Sequence, residues 1–225
     1  MGYSDPGPTP RTTRRITREL AQLLDRTSVT GPVVLVGASI GGLAVRLFAS
    51  EQPERVAGLV LVDASHEDQD ADVPRLAPFV PLLSSLGVFR LLRVTFGPPP
   101  ASLAPTVRPF AEVTGFRAVA YQTAVDEFTH LRQSAAEVKA ARRELSIPVV
   151  VVTAGQGSDA AWLNLQRDQV SLSPRGCQII AERSGHGIAL GQPEVVVRAI
   201  RAIVDAVNGR NDASPCGQRS GDSEQ

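Results

Sequence analysis

Several residue types are scarce in this sequence of 225 residues, and each shortage argues against a class of protein. Two cysteines, Cys177 and Cys216, are too few for a disulfide framework or a cysteine zinc site. Cys216 lies in a polar tail, so we expect two free thiols in a reducing compartment. The 23 basic and 23 acidic side chains cancel, and this balance argues against nucleic acid as a partner and against a polybasic membrane anchor.

Long apolar stretches are also missing. The longest uncharged run, residues 28–45, is interrupted by glycine, proline and serine, which is wrong for a membrane span. The arginines near the N-terminus have no apolar stretch beside them, as a secretory signal would require. We therefore expect a cytoplasmic protein that does not bind a membrane. The sequence has three histidines, so a histidine base could only be His66, His130 or His186.

Apolar runs alternate with helical patterns along the chain. Runs that are apolar on both faces, as in buried parallel strands, lie at 32–36, 58–62, 148–153 and 177–181. Helical spacing predicts helices at 12–26, 41–50, 159–172 and from Pro193 to a stop at Gly209, with Thr9 and Pro10 as the cap and first residue of the first helix. The first two strands and the helix between them form a right-handed parallel unit. The pattern predicts an α/β fold, a mostly parallel sheet flanked by helices.

The middle of the chain interrupts this alternation. Residues 66–147 lack strand character and hold apolar clusters, a break of three prolines at 98–100 and a polar helical stretch. We interpret this segment as an inserted helical cap over a cavity, with 1–65 and 148–207 as the core. Residues 208–225 are polar and rich in glycine and serine, so we expect a disordered tail.

A glycine-rich turn, Gly-Ala-Ser-Ile-Gly-Gly at 37–42, joins the first strand to its helix, and two chemistries fit it. As a nucleophile elbow, it would raise the hydroxyl of Ser39 above the sheet and aim the amide of Ile40 at a developing oxyanion. As a defective dinucleotide fingerprint, it would use Asp63 as the ribose-binding acid, but Ser39 replaces the glycine that lets backbone approach the pyrophosphate. A turn without chemistry is the third interpretation.

A glycine-flanked histidine, His186, follows the last strand and precedes the final helix. A serine hydroxyl needs a base within hydrogen-bonding reach, and groups at the carboxyl ends of parallel strands collect at one edge of the sheet. The chain order of serine, acid and histidine is the order that Gly-x-Ser-x-Gly hydrolases use. We therefore predict that His186 is the base for Ser39.

Either of two aspartates could be the acid that orients His186. Asp63 ends the strand next to the elbow, whereas Asp159 follows the third strand on a loop, and either could orient His186. Asp63 is favoured slightly because it stands on a rigid element, and Asp159 could simply cap the helix that follows it. His66 is interpreted as a residue of the cap hinge and His130 as a surface residue. No spacing of acids and histidines suggests a metal site.

Three segments of the chain resemble the α/β-hydrolase family. They are VVLVGASIGG at 33–42, PERVAGLVLVD at 53–63, and Gly185-His186 together with Gln-Pro-Glu at 192–194. The resemblance covers residues 1–207 and implies Ser39 as nucleophile, His186 as base and 66–147 as the helical cap. In most of the family the acid follows the strand at 148–153, which favours Asp159, and in a subset it stands where Asp63 does. Relatives that open epoxides carry aspartate at the elbow, so Ser39 implies acyl chemistry.

The resemblance also implies an N-terminal truncation. The family has about four strands before the helix that here starts at residue 12, and the loop after the third supplies a second oxyanion amide. Residues 1–6 resemble the segment just past those strands, so we expect the strand at 32–36 to be an edge of the sheet. Losing one oxyanion donor is expected to slow the reaction by roughly 10²–10³.

The sequence thus predicts a serine hydrolase of esterase type that cleaves a small, largely apolar ester through an acyl-enzyme, without cofactor or metal. An ester, a thioester and a lactone are all compatible with it. Two other functions stay open: a catalytically impaired remnant that acts as a binding module, and a Rossmann-type nucleotide-binding oxidoreductase.

Overall fold

Four parallel strands form the centre of the molecule. The computed structural model describes residues 5–70, 77–92, 105–110, 117–210 and 216, apart from the side chain of Arg90. The strands are β1 (Val33–Ala38), β2 (Val56–Val62), β3 (Val149–Ala154) and β4 (Gly176–Ala181). They lie side by side in the order β1-β2-β3-β4, and every neighbouring pair is parallel, as the apolar runs predicted.

Besides a helical stretch at 108–110, nine helices occur within the described ranges. They are α1 (Thr13–Arg26), α2 (Ile40–Glu51), α3 (Val80–Ser85), α4 (Val88–Leu92), α5 (Ala118–Thr129), α6 (Leu131–Ala141), α7 (Ala160–Val170), α8 (Ile188–Gly191) and α9 (Pro193–Val207). Three-residue 3₁₀ turns precede β2 and α3. The expected α/β fold is therefore present. The residues at 71–76, 93–104 and 111–116, including the three prolines of the expected cap, lie outside the described part.

Two apolar layers cover the faces of the sheet. Alternate residues of β2 and β3, such as Leu59 and Val151, pack against α2 and the inner side of α1, whereas Val60 and Val152 pack against α9. Both sets are buried, which explains why these strands are almost entirely apolar. Helical spacing in the sequence would bury one face of α9, namely Val196, Ile200, Ile203, Val204 and Val207, but the buried face differs, since Val204 is 38% exposed. Its buried residues are Val195, Ala199, Ile203 and Ala206.

The edge position of β1 agrees with the sequence prediction. Within the described residues β1 pairs only with β2, and Val36 is 43% exposed on it. At the carboxyl ends of the strands, Ala38 pairs with Val62 and Val62 pairs with Val152. The residues that immediately follow these strands are consequently brought to one edge of the sheet.

The second half of the expected cap is joined to the core through the start of α1. The N-cap of α1 is Thr12, not the expected Thr9. The backbone of Thr12 is extended, and its side chain accepts a hydrogen bond from the Arg15 amide. The amide of Thr13 donates to Ser134 Oγ at 3.0 Å, and the amide of Arg14 donates to Glu137 at 2.7 Å. These side chains of α6 satisfy donors that a helix start leaves without an intrahelical acceptor.

The expectation of two free thiols is wrong, because Cys177 and Cys216 form a disulfide with their Cα atoms 6.0 Å apart. Cys177 lies on β4, and both cysteines pack against the apolar layer that α9 covers. A polar tail gives no sign that it returns to the sheet, so the pairing could not be seen in the sequence. The cysteine content therefore no longer supports a reducing compartment. Of the expected disordered tail, residues 211–215 and 217–225 lie outside the described part.

Reduction of this disulfide should destabilise the protein measurably. The bond closes a loop with a sequence separation of 39 residues, and opening a loop of that size costs about 4 kcal/mol in the chain-entropy account. We expect urea denaturation with dithiothreitol to show a lower free energy of unfolding by up to that amount. The double variant Cys177→Ser/Cys216→Ser should have the lower free energy of unfolding from the start, and dithiothreitol should not change it further. An unchanged midpoint after complete reduction of the wild type would contradict this.

None of the helices among the described residues combines the length and the apolar character that crossing a membrane requires.

Candidate active site

The glycine-rich turn places Ser39 at the junction of β1 and α2 in a strained conformation. Its φ of 49° and ψ of −128° lie in a region that residues with a side chain rarely adopt. Tight packing enforces the glycines on either side: a Cβ on Gly37 would lie 2.6 Å from the Gly41 carbonyl oxygen, and one on Gly42 would lie 2.3 Å from Ala64. The sharp turn therefore depends on these glycines, as the predicted nucleophile elbow requires.

Three side chains from separate parts of the chain form one hydrogen-bonded row. Ser39 Oγ lies 3.0 Å from His186 Nε2, and His186 Nδ1 lies 2.7 Å from Asp63 Oδ2. The structure thus brings together Ser39, His186 and Asp63. With Nδ1 donating to the carboxylate, Nε2 is the nitrogen that can accept the proton of the serine hydroxyl.

The Asp63 carboxylate is buried and fully hydrogen-bonded. Its other oxygen, Oδ1, accepts from the Ala154 amide at 3.1 Å and from the indole nitrogen of Trp162 at 3.0 Å. Burial alone would raise the pKa of Asp63, but the hydrogen bonds from His186, Trp162 and Ala154 outweigh it, and the pKa is lowered. The group is therefore held as a carboxylate although it is only 2% exposed.

Asp159, the alternative acid, is the N-cap of α7. Its Oδ1 accepts from the Trp162 amide at 2.7 Å, which is the capping interaction that the sequence offered as its structural interpretation. The hydrogen bond from His186 Nδ1 goes to Asp63. Asp159 and His186 border the same surface crevice, so the two candidate acids lie in one neighbourhood.

His186 stands on a short loop between β4 and α8, with its side chain 60% exposed. The loop is fixed to the segment after β3, since the Gln156 amide donates to the Ser184 carbonyl at 3.1 Å. The hydrogen bond to Asp63 raises the pKa of His186 above its ordinary value, although burial opposes this. An imidazole that is open on one side and oriented by a carboxylate on the other suits proton transfer with a substrate.

Ile40 is the first residue of α2, directly after Ser39. The amides of a first helical turn lack intrahelical acceptors, and the helix dipole favours negative charge there. The position agrees with the predicted oxyanion donor. Of residues 1–6, which resemble the family's segment just past the missing strands, residues 1–4 lie outside the described part.

The loop after β2 is fixed from three directions, a feature that the sequence analysis missed. The Ser65 amide donates to the Ser39 carbonyl at 2.9 Å, and the buried amide groups of Gln166 and Gln169 both donate to the Ala64 carbonyl, at 2.8 and 3.0 Å. Two glutamines on one helix face do not suggest burial, so only their spacing of three residues could have indicated a shared target. These hydrogen bonds connect the segment that follows Asp63 to the turn that carries Ser39.

A buried ionic cluster continues from this loop. Glu67 contacts Arg46 of α2 and Arg142 beyond α6 at 2.8 Å each, and Asp168 of α7 contacts Arg142 at 2.7 Å and His66 at 2.8 Å. Burial would raise the pKa of Glu67, but Arg46 lowers it to about 2. The sequence signal that was missed is Arg46, a single charge among the apolar residues in the middle of α2. The cluster stabilises the loop that carries Asp63.

The remaining histidines lie away from the row of three side chains. His66 is 1% exposed within the ionic cluster, and His130 joins α5 to α6, with Nδ1 2.8 Å from the Asp126 carbonyl oxygen. Among the described residues, no group of three or more His, Cys, Asp or Glu side chains could hold a metal ion.

Comparison with known proteins identifies a family. Residues 1–199 match the model of a family described as "Alpha/beta hydrolase family". An uncharacterized protein of Schizosaccharomyces pombe is 34% identical over 101 residues, which are 43% of this chain and 19% of that protein. The chain thus spans about a fifth of the length of the curated relative it matches.

Solved structures share the fold at low sequence identity. A thermophilic esterase from Thermogutta terrifontis is 22% identical, with a TM-score of 0.63 over 90% of this chain and 75% of that one. A carboxylesterase structure from the ammonia-oxidizing thaumarchaeon Nitrososphaera gargenis is 15% identical, with a TM-score of 0.59 over 91% of this chain and 76% of that one. Both similarities concern the fold.

Proposed function

Because this chain belongs to the alpha/beta hydrolase family, we propose that it is a serine hydrolase that cleaves small, largely apolar esters through an acyl-enzyme. The family and the fold support hydrolase activity. The observation that carries the finer proposal is the continuous hydrogen bonding from Ser39 through His186 to Asp63. A serine nucleophile needs this pairing with a base, and the base needs a third group to orient it.

The proposed reaction begins with attack of Ser39 Oγ on the ester carbonyl carbon. His186 Nε2 takes the hydroxyl proton as the new C–O bond forms, and Asp63 stabilises the resulting imidazolium through Nδ1. The carbonyl electrons move onto oxygen, where the amide of Ile40 stabilises the negative charge. Collapse of this intermediate breaks the bond to the alcohol, which leaves with the proton from His186. Water then repeats the sequence on the acyl-enzyme and releases the acid.

An apolar, uncharged substrate is supported by the composition of the segment at 77–92, which belongs to the expected cap. The segment at 77–92 contains one charged residue, Arg90. Large apolar side chains are exposed on this segment: Phe79, Leu82, Leu83, Leu86, Leu91 and Leu92. The esterase and carboxylesterase names of the two similar structures point the same way. We propose a small molecule as substrate, with no nucleic acid and no membrane as partner, and no cofactor or metal.

The two other functions from the sequence analysis make different predictions. A dinucleotide site would use the Asp63 carboxylate for a ribose, but both of its oxygens already accept hydrogen bonds from the protein. A binding module derived from a hydrolase would keep the fold and lack a reactive serine. Reactivity of Ser39 therefore separates this alternative from the proposed enzyme.

Labelling with a fluorophosphonate probe tests the proposal directly. We expect the folded protein to be labelled at one site, which peptide mass spectrometry should place in the segment that contains Ser39. The same protein unfolded in guanidinium should not react, because an isolated serine hydroxyl is a weak nucleophile. A folded protein that stays unlabelled at Ser39 would overturn the proposal and favour the binding module.

A further inference from the structure

We propose that Trp162 is a positioning residue for the acid of this site, holding the Asp63 carboxylate in the orientation in which it meets His186. This inference rests on the function proposed above. It is drawn from the hydrogen bond between the indole nitrogen and Asp63 Oδ1, which no pattern in the sequence suggested.

The two oxygens of Asp63 have separate tasks. Oδ2 faces His186 Nδ1 at 2.7 Å, while Oδ1 accepts from the Trp162 indole at 3.0 Å and the Ala154 amide at 3.1 Å. A carboxylate can rotate about its bond to Cβ, and a single hydrogen-bond donor on one oxygen restrains this rotation only weakly. Two donors that approach Oδ1 from β3 and from α7 fix the plane of the group. Oδ2 is thereby aimed at His186.

Trp162 is itself held in place. It lies in the first turn of α7, where its backbone amide donates to the N-cap Asp159 at 2.7 Å. An indole is rigid, with only two side-chain torsions, so a fixed backbone also fixes its N–H. The interactions run from Asp159 to Trp162 and from Trp162 to Asp63, which explains how the unused candidate acid can lie so near the site.

The surroundings of Trp162 favour this role over simple packing. Trp162 and residues 156–159 border an open crevice of about 320 Å³ that also reaches Asp63 and His186. Although this crevice is beside it, Asp63 is only 2% exposed. The indole thus supplies a hydrogen bond where solvent would otherwise compete for the carboxylate.

The hydrogen bond should also affect the proton affinity of His186. A donor at Oδ1 withdraws negative charge from the carboxylate and weakens its hold on the imidazolium. Without that donor, Asp63 would attract the imidazolium more strongly and the pKa of His186 would rise further. Less of the neutral base would then be present at a given pH, so the acidic limb of kcat/KM should move to higher pH.

Trp162→Phe tests this, since it keeps an aromatic ring and removes the N–H. We expect kcat for a short-chain p-nitrophenyl ester to fall about tenfold to a hundredfold with KM near the wild-type value, because a hydrogen bond to a charged group is lost. The acidic limb should shift to higher pH. Arg167→Ala is the matched control on the same helix, since Arg167 is exposed and, among the described residues, its side chain bonds only to Leu163 and Asn164 of α7. This control should keep the wild-type kcat and the wild-type acidic limb of kcat/KM.

Two results would overturn the inference. One is a Trp162→Phe variant with wild-type kcat, and the other is a lowered kcat with an unmoved acidic limb, which would indicate packing alone. If the wild type is not labelled by the fluorophosphonate, the proposed function fails instead.

A second measurement needs no turnover. Trp162 is the single tryptophan of the sequence, so its fluorescence reports on this position alone. We expect its emission to titrate with His186 in the wild type and to lose that titration in His186→Gln. Emission that stays constant through the titration of His186 would contradict the link between the two residues.

Discussion

Replacing Ser39 with alanine is expected to lower kcat for a short-chain p-nitrophenyl ester by about 10⁶, since the remaining groups of such a site act only through the nucleophile. The free energy of unfolding should barely change. The side-chain hydrogen bond of Ser39 is to the exposed His186, and alanine leaves the strained backbone as it is. Steady-state kinetics and urea denaturation of the same preparation measure both quantities.

Ser39→Gly is the matched control for the backbone. Glycine adopts a φ of 49° without steric cost, so this variant should be at least as stable as Ser39→Ala and equally inactive. Hydrolysis that survives both substitutions would mean that a different residue attacks the substrate, and the assignment of Ser39 would be wrong.

Asp63→Asn is expected to lower kcat by about 10⁴, whereas Asp159→Asn should stay within a few-fold of the wild type. An asparagine amide at position 63 can donate to His186 Nδ1, which places the ring proton on Nε2 and leaves no acceptor for the Ser39 hydroxyl. An asparagine at position 159 still caps α7, because its side-chain oxygen accepts from the Trp162 amide as the carboxylate does.

This pair of variants decides between the two acids that the sequence left open. Asparagine can retain the hydrogen bonds that Asp63 Oδ1 accepts from Ala154 and Trp162, so the fold should survive the change. Tryptophan emission and the urea midpoint check this for both variants. A large loss in Asp159→Asn together with little loss in Asp63→Asn would assign the acid to Asp159.

The sequence predicted the sheet well because its two central strands, β2 and β3, are buried on both faces. Each run of consecutive apolar residues, such as 58–62, has only one favourable environment, and parallel order follows from the helices between the strands. The same topology predicts the edge of the sheet at which the candidate site lies, since Ser39 and Asp63 each stand directly after a strand. The position of α9 was predicted, but its buried face was not, because several valines on the exposed side match the helical spacing equally well.

The features that were missed depend on contacts between distant residues. Trp162, Gln166 and Gln169 serve the loop after β2 through hydrogen bonds across roughly a hundred residues, and apolar periodicity says nothing about such bonds. The partner of Cys177 was hidden for the same reason. The choice between Asp63 and Asp159 depends on the course of the loop that carries His186, which is not fixed by local sequence.

The spacing of the three residues along the chain has a consequence for folding. Ser39 and Asp63 follow neighbouring strands, but the bonds of His186 span 147 residues to Ser39 and 123 to Asp63. At translation rates of about 5–20 residues per second, His186 emerges roughly 6–25 s after Asp63. The ribosome therefore delivers Ser39 and Asp63 long before His186. Regain of the proposed esterase activity during refolding should report the docking of the last loop, not formation of the sheet.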